Sequence, residues 1–255
     1  MKKSLFILTS LFIVILIVTN ISFFKTSHQI SGAPPYDPLD EQLPNNFDYP
    51  WLENWERPDG PPKVGLQVGH WKSEEVPDEL RRLRNNTGSS GGGKSEWEVN
   101  YEIVEETKKI LEENGIVVDV LPATIPPKYW ADVFVSIHAD GSLDPSKSGF
   151  KAAAPRRDMS GKANSLVEKM EMTYQETTSL PKDPNVSRNM RGYYAFSYWR
   201  YEHAVHPMTA SAILETGFLT SASDRKIIVD NPQISAKGIA EGIMTYLESE
   251  GLLEL

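Results

Sequence analysis

The sequence predicts a single α/β domain, a three-layer fold whose mostly parallel, twisted sheet is covered by helices. Two observations carry this reading. Short apolar runs alternate with longer amphipathic stretches over residues 63–255, and strands alternating with helices form parallel sheets with covered faces. Three of those runs also end on a residue able to do chemistry, where an open parallel sheet places its ligand crevice.

In chain order, VGLQV (64–68) reads as the first strand and ends at Gly69. Glu96 to Asn114 reads as a helix, with Ile103, Val104, Thr107, Ile110 and Leu111 on one face and Gly115 as its stop signal. IVVDVL (116–121) is a strand, and Pro122, Pro126 and Pro127 break the segment after it. ADVFVSIHAD (131–140) is a buried strand with a polar end. Gly161 to Leu180 is a second helix, AILETGF (212–218) a further strand, and Ser235 to Gly251 the closing helix. No internal repeat is visible.

Two segments precede this domain. Leu5 to Phe24 carries no charge and is long enough to cross a hydrocarbon core of about 30 Å as a helix. Lys2 and Lys3 before it place the amino terminus in the cytoplasm and export the remainder. A cleaved signal peptide is the competing reading. The run exceeds the usual h-region and no convincing A-x-A site comes after it, so residues 1–25 are read as an uncleaved anchor. Residues 26–62 hold eight of the 18 prolines and read as a stiff spacer. Phe47, Tyr49, Trp51 and Trp55 leave open whether its end packs on the domain.

Composition excludes several classes. The 255 residues carry 26 Lys+Arg against 35 Asp+Glu, a formal charge of -9, so nucleic acid, which needs a basic face, is not the expected partner. With no Cys, disulfide scaffolds, thiolate metal sites, a Cys nucleophile and a lipobox anchor are all excluded. Any metal must therefore sit on His, Asp or Glu, and there are five His.

The strand VGLQV runs into His70, VFVSI into His138 and AIL into Glu215. A lone His at a strand end is more often structural, but the fold would gather all three in one cleft. Glu96 opens a helix, where dipole complementation is the bland reading. Together His70, Glu96 and His138 form a ligand set suited to a catalytic Zn2+ with one open position, leaving Glu215 free as a base. Glu98 is a rival ligand. Residues two apart do not share a helix face, so one of the two acids can point at the metal, and Glu96 is preferred.

GSSGGGKS (88–95) fits the phosphate-loop pattern letter for letter. Such a loop must leave a buried strand, and the preceding ELRRLRNNT is charged and polar. We read it as a flexible Gly-rich turn that delivers Glu96, with no nucleotide bound. His203 and His206 read as surface residues in preference to substrate contacts, and Arg81, Arg82 and Arg84 as a solvated face. Arg188, Arg191, Tyr193 and Tyr194 read as rimming the cleft, with Arg188 and Arg191 as candidate carboxylate binders.

The segments QVGHWK, GGKSEWEVNYEIVEETKKILEENGIVVDVLPA, ADVFVSIHADG and ILETGFLTSASDRKI, in this order, resemble zinc-dependent N-acetylmuramoyl-L-alanine amidases, an exported family that trims peptidoglycan. The resemblance spans roughly 64–245. It implies that His70, Glu96 and His138 hold zinc and that Glu215 is the catalytic base. It further implies hydrolysis of the amide between N-acetylmuramic acid and the L-alanine of the stem peptide. Peptidoglycan would be the partner, met on the outer side of the cytoplasmic membrane to which residues 1–25 tether the enzyme. The first motif departs from the family's usual DPGHGG, and Trp71 puts bulk where the family has Gly. The alternatives are a non-catalytic wall-binding module of the same fold and a zinc hydrolase of another peptide or amide.

Overall fold

The computed structural model describes residues 52 and 54–254. The expected anchor and most of the spacer lie outside these residues. Among the described residues, no helix is long and apolar enough to cross a membrane.

The elements run β1 (Lys63–Val68), β2 (Ser90–Gly91), β3 (Lys94–Ser95), α1 (Glu96–Glu113), β4 (Val117–Leu121), β5 (Val133–Asp140) and β6 (Lys151–Ala153). They continue with α2 (Ala163–Thr178), α3 (Arg188–Arg191), β7 (Ala210–Phe218), α4 (Ala222–Ile228) and α5 (Pro232–Ser249). Five strands form one sheet in the order β4-β1-β5-β7-β6. All its pairs are parallel except β6 with β7, which is antiparallel. Each expected strand and long helix is present, while β2, β3, β6, α3 and α4 had no counterpart in the sequence reading.

Side chains alternate along a strand, and here the alternation separates two different packings. Val64, Leu66 and Val68 of β1, Val133, Val135 and Ile137 of β5, and Ala212 and Leu214 of β7 share one core with α1, α2 and α5. Phe134 and Ile213 point the other way, into a second core with Leu80, Tyr129, Met190 and Phe196. All three long helices therefore lie on one face. The other face is covered by loops, 3-10 turns at Asp78–Leu83 and Tyr194–Phe196, and the short α3. The expectation of helices as the cover holds for one face only.

Residues just before β1 are tied to the domain. Arg57 grips Asp132 through Nε at 2.6 Å and Nη2 at 2.9 Å. The Trp55 ring lies 5.4 Å from His206 and 6.2 Å from Trp130. Of the four aromatics considered from sequence, Trp55 thus packs on the domain, and Phe47, Tyr49 and Trp51 lie outside the described residues.

Candidate metal centre

Neighbouring parallel strands put residues of one row on the same face. His138 of β5 is paired in register with Glu215 of β7, and Glu215 in turn with Lys151 of β6. This row faces away from the long helices. Directly after β1 the chain turns sharply, and His70 takes a left-handed φ of 66°, a conformation costly for a non-glycine and typical of functional sites. That turn directs His70 back over the sheet edge, so the rings of His70 and His138 meet edge-on with centroids 5.0 Å apart.

Glu96 reaches them from the first turn of α1. The phosphate-loop look-alike before it is a tight hairpin rather than a flexible turn. Ser90 and Gly91 pair with Ser95 and Lys94, and Gly92 and Gly93 take φ of 63° and 81°, as a two-residue hairpin turn requires. The rivalry with Glu98 is resolved by the helix cap. Glu98 accepts the Ser95 N–H at 2.8 Å in a capping box, which turns it away from the site. Glu96 instead has no exposed surface. Its Oε1 lies 2.8 Å from His138 Nδ1 and 3.4 Å from His70 Nε2, and its Oε2 accepts the Ser89 N–H at 2.7 Å. Burial would raise the Glu96 pKa, but the charges of His70 and His138 and these hydrogen bonds outweigh it and hold the carboxyl at about 2.

The donor atoms of His70, Glu96 and His138 all lie within 4.8 Å of one another, and all three residues are buried. These residues fit a zinc-type ion on two further counts. His70 Nδ1 lies 2.9 Å from the Asn86 carbonyl. Donating its proton there leaves Nε2 as the lone-pair nitrogen, the arrangement that orients a metal-binding imidazole. His138 Nε2 is buried with no hydrogen-bond partner, so this imidazole keeps coordinating capacity that the protein does not use. The group can hold a metal ion.

Glu215 stands beside this group without joining it. It is 1% exposed and its Oε2 has no hydrogen-bond partner. Burial first, then the negative charges of Asp140 and Glu96, push its pKa well above the usual carboxylate range, against the pull of Lys151. A raised carboxyl in a cleft is suited to taking and returning a proton. Lys151 pairs with Asp140 and lies 3.3 Å from Asp183. Burial opposes its charge, but Asp140, Glu215 and Asp183 together keep it protonated.

Other expected residues lie elsewhere. Tyr193 and Tyr194 do not rim a cleft. They are buried, with Tyr193 donating to Gln67 Oε1 at 2.9 Å and its ring 5.7 Å from that of His138, so they support the site from below. Trp71 packs on Tyr101 at 5.1 Å. His203 binds Glu79 at 2.6 Å, and Arg84 binds Asp78 at 3.0 Å. Arg188 and Arg191 are exposed on α3, outside the metal group. Lys151, Asp183 and Gln67 were missed. Lys151 and Asp183 sit in segments without motif spacing, Gln67 reads as one more residue of a buried strand, and a buried lysine gives no sign of itself in sequence.

On a sheet of this topology, two imidazoles and a buried carboxylate that can hold a metal ion stand beside a separate acid of raised pKa. Residues 64–245 match the N-acetylmuramoyl-L-alanine amidase (Amidase_3) family, and the chain belongs to that family. Similar solved structures include the catalytic domain of the amidase CwlV from Bacillus (Paenibacillus) polymyxa var. colistinus, at 20% identity and TM-score 0.52 over 73% of this chain and 98% of that one. Others are AmiC2 of Nostoc punctiforme, at 20% and 0.53 over 75% and 99%, and Ami1 from Mycobacterium smegmatis, at 19% and 0.53 over 74% and 97%. At such identities the likeness is one of fold. No curated protein matches the chain.

Proposed function

We propose that this chain is a zinc-dependent amidase of peptidoglycan, cleaving the amide between N-acetylmuramic acid and the L-alanine of the stem peptide. The observation that carries the reading is the convergence of His70, Glu96 and His138 beside Glu215, within a chain of this family. His70, Glu96 and His138 would hold the ion. When bound, it supplies a positive charge that polarises the scissile carbonyl and lowers the pKa of the attacking water.

The protein's own groups do the rest. Glu215 takes a proton from the attacking water on a carboxylate oxygen and returns it to the departing L-alanine nitrogen, so one carboxyl serves as base and then acid. Its raised pKa favours holding the proton taken from water until it passes to the departing nitrogen. Lys151 keeps a positive charge beside it in the same strand row. Glu96, held ionised by its surroundings, offsets the ion's charge, and Asn86 fixes the orientation of His70.

The chain's apolar residues 5–24 and Pro-rich residues 26–62 support a tethered enzyme on the outer side of the cytoplasmic membrane. A spacer of extended chain at about 3.1 Å per residue would span tens of ångströms between bilayer and wall.

The test is to incubate the full chain with isolated peptidoglycan, with and without a chelator. Free peptides with L-alanine at their amino end, formed only without chelator, are expected. Cut glycan strands, or no release with zinc supplied, would refute the assignment.

A further inference from the structure

A second feature of the sheet lies on its outer edge, away from the metal group. β6 is the last strand. On its open side Phe150 donates its N–H to Pro181 and accepts from Asp183. Because backbone groups alternate in direction along a strand, Ala152 also turns its N–H and C=O outward, while Lys151 and Ala153 face β7. Phe150 thereby forms a parallel bridge with Lys182, and beyond that bridge, among the described residues, no further strand pairs alongside Ala152. Instead the edge opens into a cavity of about 600 Å³, lined by Ala152, Arg156, Glu171, Lys182, Val186 and Arg191 among others. Three of its twelve lining residues are cations against one acid, Glu171, in a chain whose formal charge is -9. Glu171 is engaged by Lys182 at 2.5 Å. The wall is fixed, since Arg156 N–H donates to the Arg191 carbonyl at 2.9 Å.

An unpaired edge with cationic walls suits one kind of ligand, an extended peptide that carries carboxylates. Such a peptide adds as a further strand, its main chain binding the edge and its acids meeting the arginines. We infer that the β6 edge is the peptide subsite of this protein, where Ala152 pairs with the backbone of the stem peptide and Arg191 with one of its carboxylates. This rests on the amidase reading for the identity of the peptide. The placement agrees with it. Glu215 and Lys151 are cross-strand partners, and an added strand would lie two strand spacings, about 10 Å, from β7. Three residues of extended chain cover about that distance, so the stem peptide is long enough to occupy both places.

The test uses the full chain and a free L-Ala-γ-D-Glu-L-Lys-D-Ala-D-Ala peptide, titrated calorimetrically beside its fully amidated form. Amidation, Arg191→Glu and Ala152→Pro, which removes the outward N–H at an edge position that tolerates proline, should each weaken binding by about tenfold. In hydrolysis, the preference in kcat/KM for a muramoyl-pentapeptide over a muramoyl-L-alanine should fall by a similar factor in Arg191→Glu. Peptide binding that depends on Arg191 in a chain that cleaves neither substrate would uphold the edge subsite and sink the amidase reading. Cleavage of both substrates with binding and preference unmoved by Arg191→Glu would do the reverse. Arg191 is exposed, so its replacement leaves the core intact even where Ala152→Pro does not fold.

Discussion

Replacing Glu215 with Gln should make the protein more stable and less active at once. The wild-type carboxyl is 1% exposed, with one oxygen lacking any hydrogen-bond partner, and its folded pKa lies well above the ordinary value. An acid with a raised folded pKa subtracts stability above that pKa and subtracts none below the unfolded value near 4.3. Gln removes the charge and keeps the shape. The metal-free full chain should therefore melt higher at pH 8; single stabilising substitutions commonly give about 0.5–2 kcal/mol, and in a chain of this size each kcal/mol is roughly 2–4 °C in melting temperature. The gain should shrink towards zero as the pH falls to about 4. Hydrolysis should drop by about 10²–10⁴-fold, the usual share of a general base, while metal content is unchanged. Melting curves at several pH values, metal analysis and peptide release on the same samples check all three. A variant that melts lower than wild type at pH 8 would contradict the burial cost assigned to the Glu215 charge, and one that still releases peptide at the wild-type rate would contradict its role as base.

Neighbouring contacts lead to other expectations. His70→Ala and His138→Ala should lose bound zinc and all measurable release, as read by metal analysis after dialysis. Glu96→Ala should lose it too, whereas Glu98→Ala should retain metal and show only the weaker helix start of a missing cap, seen as a lower melting temperature. Gly88 takes a φ of 75°, and a Cβ there would collide with a Glu96 carboxylate oxygen, so Gly88→Ala should displace Glu96 and weaken zinc binding at least tenfold. Arg57→Ala leaves Asp132, whose side chain is 4% exposed, without its guanidinium partner, and should cost about 1–3 kcal/mol in a denaturant titration without altering metal content.

Much of this architecture was legible in the sequence, for a physical reason. The strands β1, β5 and β7 are buried on both faces and read as continuous apolar runs, and towards their carboxyl ends these runs break into His or Glu that are themselves buried. That break made His70, His138 and Glu215 visible. Glu96 was visible as the acid opening an amphipathic helix, but its advantage over Glu98 became physical only with the capping box, which needs Ser95 in place. The unseen parts depend on partners distant in the chain. β6 is a run of Lys and Ala with no β-branched residue, and becomes a strand because β7 offers it a ladder. Tyr193 and Tyr194 look polar in sequence and are buried because Gln67 and Ala123 satisfy their hydroxyls. The GSSGGGKS segment looked loose from its composition, yet paired glycines with positive φ are what a tight hairpin turn demands.

The proposed hydrolysis depends most on one ion being held by three side chains from distant parts of the chain. Crystals of the full chain grown with zinc, measured on both sides of the zinc absorption edge, test this directly. One anomalous peak is expected in contact with His70, Glu96 and His138, at about 2.0–2.2 Å from each donor atom, with Glu215 outside bonding distance. A peak elsewhere, or one whose contacts omit Glu96 or include Glu215, would contradict it.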